Sequence, residues 1–493
     1  MRVEFAEGEP ETYAVPLTLL EGERAEHLLA DAPRSVVARI RRRGDATAVL
    51  ADALVDPEVG RALLDAVRGR RSLKGVTGGR LAGRTTPALR AALDGGEPPE
   101  PSTFRAEQSN TSVVFGQSLI MKLFRRVEAG LNPDLELGRH LTERGGFAGT
   151  PPVAGWLEYT AEGVEPATLA IVHRYVPNEG DSWQYTLDAL SRFYELTVTE
   201  AIPAGLAPPD TTAPLIVRAR DPLPPAIDEM VGSYLQSAQL MGRRVAEMHT
   251  ALADDATEPG LAPEPFTPHF QRGVYQSLRN LTGRTLQALR RSLAGLDDPV
   301  RAMAEEVLAA EGDLLARFAA ITRRPLSARR IRCHGDLHLG QVLNTGRDFM
   351  IIDFEGEPAR SLGDRRVKRS PLRDVAGMLR SFEYATAAAL LDQEARGVVE
   401  AGSDVARELE AWGRAWCDGV CAAFLGSYLT HADGGPWMPD APADLEVLLD
   451  TSLLEKAVYE LGYELNNRPS WVPIALHGVR DLLAAGPGAD ATG

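Results

Sequence analysis

One stretch of the chain, residues 331–356, constrains the rest more than any other: IRCHGDLHLGQVLNTGRDFMIIDFEG. It opens with His334-Gly335-Asp336, passes through Gln341 into the apolar pair Val342-Leu343, and turns between Asn344 and Asp348. It then runs through Phe349–Ile352 to Asp353. Two short apolar segments flanking a turn that contains glycine predict a small hairpin. Such a fold-back brings residues 336, 341 and 353 to one end. Phosphoryl transfer from a nucleotide needs an acidic group beside the attacking hydroxyl and oxygen ligands for magnesium. Asp336 meets the first need, and the Gln341 amide oxygen with the Asp353 carboxylate meets the second. The purely structural alternative makes Asp336 and Gln341 turn residues and Asp353 a strand-end cap. A second aspartate after an apolar strand, followed by Phe354 and Gly356, favours the phosphotransferase reading.

The same stretch resembles the catalytic and metal-binding loops of the aminoglycoside-phosphotransferase-like branch of the protein kinase superfamily. Within that branch it is similar to bacterial maltokinases, in which glutamine replaces the usual metal-binding asparagine. EPARSLGDRRVKRSPLRDVAGMLRSF (357–382) and KAVYELGYELNNRPSW (456–471) carry the same resemblance. It implies an α+β, bilobal kinase-like fold with an N-terminal cap domain, and ATP and Mg2+ as cofactors. It implies transfer of phosphate from ATP to the anomeric hydroxyl of maltose, giving ADP and maltose 1-phosphate. It also implies a role in α-1,4-glucan and glycogen synthesis, beside a trehalose synthase and a maltosyltransferase.

Composition excludes several other classes. A formal charge of −16 argues against nucleic acid and anionic membranes as general partners. No apolar run approaches bilayer-spanning length, and MRVEFAEGEPETY lacks the basic-then-apolar order of a signal peptide. Three cysteines, at 333, 417 and 421, make no secreted disulfide framework. A cytoplasmic enzyme is expected.

At 493 residues the chain is long enough for two or three domains. Residues 1–101 are expected to form the cap, which resembles the maltokinase cap from part-way through and is therefore either small or incomplete. Residues 102–178 are expected to form the kinase N-lobe, 179–484 a mostly helical C-lobe, and 485–493 a flexible tail. Ile202–Pro225 reads as an exposed loop and Ile227–Thr250 as one long amphipathic helix.

Within the expected N-lobe, Lys122 alternates with apolar residues in SLIMKLFRR, as a strand lysine facing a cleft does. A helix from Pro133 to Thr142 offers Glu136 as its partner, with Asp134 and Glu143 as competitors. A phosphate-binding lysine held by a helix glutamate is the kinase arrangement. The chain has no G-x-G-x-x-G loop here; the turn at Gln108–Ser112 offers the hydroxyls of Ser109, Thr111 and Ser112 to phosphate oxygens. The resemblance puts Val176 on the connection that passes the adenine.

Acceptor residues are read from chemistry and resemblance together. His338, between the base and Gln341, is expected to hydrogen-bond within the loop. Glu355 either steadies metal-bound water or caps the next turn. Arg366, in GDRRVKR with Arg365 and Lys368, is placed by resemblance near the acceptor. Tyr463 and Arg468, with Tyr459, Asn466 and Trp471, are suitable for a sugar, although tyrosines at helical spacing also pack cores. Arg373, Asp374 and Arg380 read as architectural charges. Two rivals remain: a related kinase for another sugar, an aminoglycoside or choline, and a catalytically inactive kinase-like scaffold. The joint presence of Lys122, Asp336, Gln341 and Asp353 argues against the scaffold.

Overall fold

Strand Leu119–Phe124, which carries Lys122, lies within a seven-stranded antiparallel sheet. From edge to edge the order is Ser72–Lys74, Arg80–Thr85, Val153–Ala161, Val164–Arg174, Leu119–Phe124, Asn110–Phe115 and Pro101–Phe104. This computed structural model describes residues 1–6, 8, 10–41, 47–76, 78–104, 110–254 and 258–485; the expected tail beyond 485 lies outside the described residues. The inward residues Val113, Met121, Leu157 and Val172 bury one sheet face against helix Pro57–Arg68 through Leu64 and Val67. That helix starts where its sequence says it should. Asp56 accepts the Glu58 N–H, proline follows, and Arg68 lies in the last turn against the helix dipole. Gly83 permits the contact: a Cβ there would come within 2.0 Å of the Ala66 carbonyl oxygen.

The stretches expected as cap and N-lobe share this sheet, because Arg80–Thr85 pairs with Val153–Ala161. Ahead of it, Leu17–Glu21, Thr47–Asp52 and Val36–Arg41 form a three-stranded sheet, packed through Leu20, Val49 and Ala51 against helix Glu23–Asp31. The chain divides into two compact units: residues 1–144, 150–177 and 359–365, and residues 145–149, 178–358 and 366 onward.

The second unit is mostly helical. Its principal helices are Tyr234–Ala253, Pro268–Ser292, Leu372–Ala395, Asp404–Ala432 and Pro442–Asn467. Leu278, Leu286, Phe318, Leu454, Leu461 and Leu476 form one of its cores. The long helix expected over Ile227–Thr250 is two helices, Pro225–Val231 and Tyr234–Ala253. Gly232 separates them at φ +64, the left-handed conformation that glycine adopts without steric cost. The expected loop 202–225 contains a short helix, Leu215–Arg220. Arg218 anchors it by an ion pair with Asp418 at 2.9 Å. Among the described residues, no helix is long and apolar enough to cross a membrane.

Candidate active site

Val342–Asn344 and Phe349–Ile351 pair antiparallel, forming the expected hairpin. Thr345 and Asp348 close its turn through a backbone bond of 2.9 Å. At its base the Gln341 amide nitrogen donates to Asp353 Oδ2 at 3.1 Å. Carboxylate oxygens of Asp353 and Glu355 lie within 4.8 Å of each other. Two carboxylates and an amide make an oxygen donor set suited to a hard cation such as Mg2+. For Gln341 to join that set its amide must turn over, since nitrogen faces the carboxylate in this arrangement. Asp353 has φ +68, a conformation a non-glycine residue rarely takes and one common at functional sites.

The loop before the hairpin is held from below. Asp374, near the start of helix Leu372–Ala395, accepts the backbone N–H groups of His334 at 2.8 Å and Gly335 at 2.9 Å. His249 donates to it or shares a proton with it at 3.1 Å, and Tyr428 lies 3.0 Å from the other His249 nitrogen. All three side chains are buried. His334 Nε2 lies 2.8 Å from the Ile352 carbonyl oxygen, so Nε2 carries the proton and ties the loop to the residue before Asp353. Gly377 is also required: a Cβ there would sit 2.2 Å from the Leu337 carbonyl oxygen, next to Asp336.

Asp336 receives an ion pair that sequence reasoning missed. Lys456 Nζ donates to its Oδ1 at 3.3 Å. Burial pushes the Asp336 carboxyl up. The charges of Lys456, His338 and His334 and the Lys456 hydrogen bond outweigh that and hold it below the usual carboxylate range. His338 is lowered, chiefly by burial, which favours its neutral form; its Nδ1 accepts the Gly340 N–H at 3.1 Å. It caps the short helical turn Leu339–Gln341 through that bond.

Lys456, Tyr459, Glu460, Tyr463 and Glu464 share one face of helix Pro442–Asn467, at helical spacing. Arg468 binds Glu464 through two nitrogens at 2.9 and 2.6 Å, and its guanidinium lies 4.3 Å from the Trp471 ring and 5.4 Å from that of Tyr463. Trp471 in turn stacks on Trp183 at 6.3 Å. Tyr463 is 44% exposed, so it is available to a ligand, whereas Glu464 is buried. Arg366 follows helix Leu362–Arg365 and is half-buried. Lys368 has a structural role: its ammonium donates to the carbonyls of Pro259 and Ala262 and to Glu264, all within 2.8 Å. The signal for Lys456 was present in the sequence, as the first residue of KAVYELGYELNNRPSW, one helical turn before Tyr459. Nothing local linked it to Asp336.

In the first unit, Lys122 lies opposite Ser112 and Ile171, and Asp134 approaches its ammonium to 3.6 Å. Asp134 and Glu136 share the first turn of helix Pro133–Glu143, which Asn132 caps. Thr111 and Ser112 lie in a strand, opposite Leu123 and Lys122, where the turn reading placed them in a phosphate-cradling loop. The Thr111 hydroxyl there accepts the Arg125 Nε–H at 2.9 Å. Ser109 lies outside the described residues. Val176 follows strand Val164–Arg174, one residue after Tyr175, whose N–H bonds to the Ser118 carbonyl at 2.9 Å.

No family model matches the chain. It is similar to a glucosamine kinase of Streptacidiphilus jiangxiensis, 26% identical over 388 residues that cover 76% of this chain and 72% of that protein. A glucosamine kinase of Mycolicibacterium smegmatis is 28% identical over 386 residues, covering 77% and 79%. Among solved structures, a glucosamine kinase in complex with glucosamine, ADP and inorganic phosphate aligns with a TM-score of 0.58 at 22% identity, over 84% of this chain and 91% of that one. A second glucosamine kinase crystal form aligns with a TM-score of 0.59 at 19% identity, over 91% of each chain. These similarities support a kinase-like enzyme and extend to glucosamine kinases rather than specifically to maltokinases. The chain thus has an α+β fold like that of solved glucosamine kinases, and its sequence is similar to curated glucosamine kinases.

Proposed function

We propose that this protein is an Mg-ATP-dependent kinase that phosphorylates a hydroxyl group of a small sugar. The observation that carries the reading is Asp336, ionised beside Lys456 at 3.3 Å, on the same loop-and-hairpin as Gln341, Asp353 and Glu355. In this reading Asp336 orients the acceptor hydroxyl and takes its proton as the new O–P bond forms. Gln341, Asp353 and Glu355 hold magnesium, whose charge offsets that of the nucleotide phosphates. Lys122 neutralises phosphate charge, steadied by Asp134. Most of the catalysis is alignment and electrostatic stabilisation.

Two acceptors are proposed. Glucosamine is suggested by the relatives, and maltose by the similarity of residues 357–382 and 456–471 to maltokinases. The latter reading includes maltose 1-phosphate as product and supply of α-1,4-glucan synthesis. A glucosamine ammonium requires a carboxylate partner. On the helix face of Lys456, Glu464 already binds Arg468 and Glu460 binds Arg380 at 2.9 Å, so an ammonium that meets either of these shares it with an arginine. Neutral maltose needs only ring stacking and hydroxyl contacts.

The test is a phosphorus NMR time course with Mg-ATP and, separately, glucosamine, maltose, glucose, trehalose and an aminoglycoside. A new sugar-phosphate resonance with one of the sugars, lost in Asp336→Ala, is expected. Its chemical shift and proton coupling identify the hydroxyl modified. Transfer to the aminoglycoside alone overturns the sugar assignment, and failure of any transfer together with failure to bind Mg-ATP favours the scaffold reading.

A further inference from the structure

We infer that Lys456 is a positioning residue for the reaction, which holds the Asp336 carboxylate ionised and oriented towards the acceptor hydroxyl from a helix 120 residues away. The inference rests on the proposed kinase function and extends it to a residue outside the catalytic loop.

Three observations carry it. The first is contact. Lys456 Nζ lies 3.3 Å from Asp336 Oδ1 and 5.4 Å from the centre of the Tyr459 ring, with both charged side chains only about a quarter exposed (22% and 26%). An ammonium with one face on an aromatic ring and another on a carboxylate has few alternative positions. Its engagement of Oδ1 leaves the second oxygen to take the proton.

The second is anchoring. Helix Pro442–Asn467 is fixed on both sides of Lys456. Glu455, the preceding residue, forms an ion pair with Arg373, and Glu460, one turn later, pairs with buried Arg380 at 2.9 Å. Arg373 and Arg380 both belong to helix Leu372–Ala395, which also carries Asp374, the acceptor of the His334 and Gly335 N–H groups. One helix therefore sets the backbone of the catalytic loop, and a second helix clamped to it sets the side chain.

The third is charge. The groups facing Asp336 are Lys456 from the distal helix and His338 and His334 from its own loop. The groups facing Lys456 are Asp336, Glu460 and Glu357. Burial lowers the Lys456 pKa, but these three carboxylates outweigh it, so the lysine stays protonated across the working range. Of the charges that hold the Asp336 carboxyl below its ordinary range, that of Lys456 is the largest, and it is the only one of the three that also donates a hydrogen bond to the carboxylate.

In the reaction, the acceptor O–H bond breaks as its oxygen bonds to the γ-phosphorus of ATP. The bond from that phosphorus to the bridging oxygen breaks, ADP departs, and the proton goes to Asp336. Only an ionised Asp336 can accept it.

The experiment has two arms. In the first, infrared difference spectra between the parent protein and D336N, recorded through an acid titration, isolate the Asp336 carboxyl band with no need of turnover. The same pair is recorded in K456M and K456R backgrounds. The band is expected to appear at clearly higher pH with K456M and near the parental pH with K456R. An unchanged midpoint in folded K456M overturns the inference. In the second arm, the acidic limb of kcat/KM is measured with the accepted sugar. K456M is expected to move the limb upward and to lower kcat by about tenfold or more, with a smaller change in KM, and K456R to restore both. A loss of thermal stability in K456M with an unmoved limb assigns Lys456 a merely structural role and also overturns it. An inactive parent protein contradicts the kinase function instead, and the infrared arm still decides the lysine's effect on Asp336.

Discussion

Asp374 accepts two consecutive backbone N–H groups of the loop that carries Asp336, those of His334 and Gly335, while His249 supports its carboxylate from a third direction. A charged acceptor that is only 1% exposed and carries this many bonds is a structural keystone. Its removal orphans the N–H groups of buried His334 and of Gly335. Asp374→Ala is expected to cost about 3 kcal/mol of stability, read from the urea midpoint, and Asp374→Asn less, because one oxygen remains. Burial pushes the Asp374 carboxyl up, but the hydrogen bond and charge of His249, with His334 and the Gly335 N–H, hold it below the ordinary value. A depressed folded pKa means that the folded state binds fewer protons than the unfolded one. The stabilisation is therefore complete above about pH 4 and is lost as pH falls through the folded value. Acid unfolding curves of Asp374→Asn should accordingly lose part of their pH dependence in that window.

Gly377 lies one helical turn beyond Asp374, where a Cβ would meet the Leu337 carbonyl oxygen at 2.2 Å. Gly377→Ala must displace the residue next to Asp336. We expect a stability loss of about 1–3 kcal/mol and a fall in kcat larger than the change in acceptor KM. Wild-type kcat in a folded Gly377→Ala protein contradicts this.

Asp353 and Gln341 are joined by a 3.1 Å hydrogen bond, yet their charges differ. An anionic ligand contributes more to a divalent cation than a neutral amide does. Asp353→Ala should lower magnesium-dependent activity on the order of 100-fold or more, and Gln341→Asn by less. Manganese titration by calorimetry or paramagnetic relaxation checks the same ranking without turnover. Equal losses in both measurements would refute it.

Lys122 and Asp134, 3.6 Å apart in the first unit, should behave as one functional pair. Lys122→Ala is expected to lower kcat/KM for ATP on the order of 100-fold. Asp134→Asn is expected to lower it by less, and the double variant should be no worse than Lys122→Ala. Additive losses in this cycle would show that each residue acts alone.

Trp471 stacks on Trp183 and carries the Arg468 guanidinium, which also lies over the ring of exposed Tyr463. Trp471→Ala should raise the acceptor KM by about tenfold through lost stacking, with KM for ATP unchanged. A rise in the KM for ATP instead would place this aromatic group away from the acceptor.

The candidate site was legible in sequence where its geometry is local. Two apolar segments and a glycine turn compel a hairpin, and the hairpin by itself juxtaposes Gln341 and Asp353. The helices Pro57–Arg68 and Pro87–Leu93 were likewise readable, since their caps and first-turn prolines lie within four residues of their starts. The expected phosphate-cradling role of Thr111 and Ser112 met strand pairing that the turn residues did not signal. A one-helix reading of Ile227–Thr250 missed a break because apolar periodicity continues across Gly232, while φ turns positive there and ends the first helix.

Tertiary structure alone decided what surrounds Asp336. Lys456 is 120 residues downstream, and Asp374 is 38 positions from Asp336, on a different element. Neither separation carries a period or a spacing that a linear reading detects. Their meeting depends on how helices Leu372–Ala395 and Pro442–Asn467 pack, and that packing carries the ion pairs of Arg380 with Glu460 and of Arg373 with Glu455. Short-range sterics and hydrogen bonding wrote the hairpin and the Gln341–Asp353 pairing into the sequence. The charge and the orientation of the Asp336 carboxylate come from long-range packing, because they depend on groups that only the folded chain brings together.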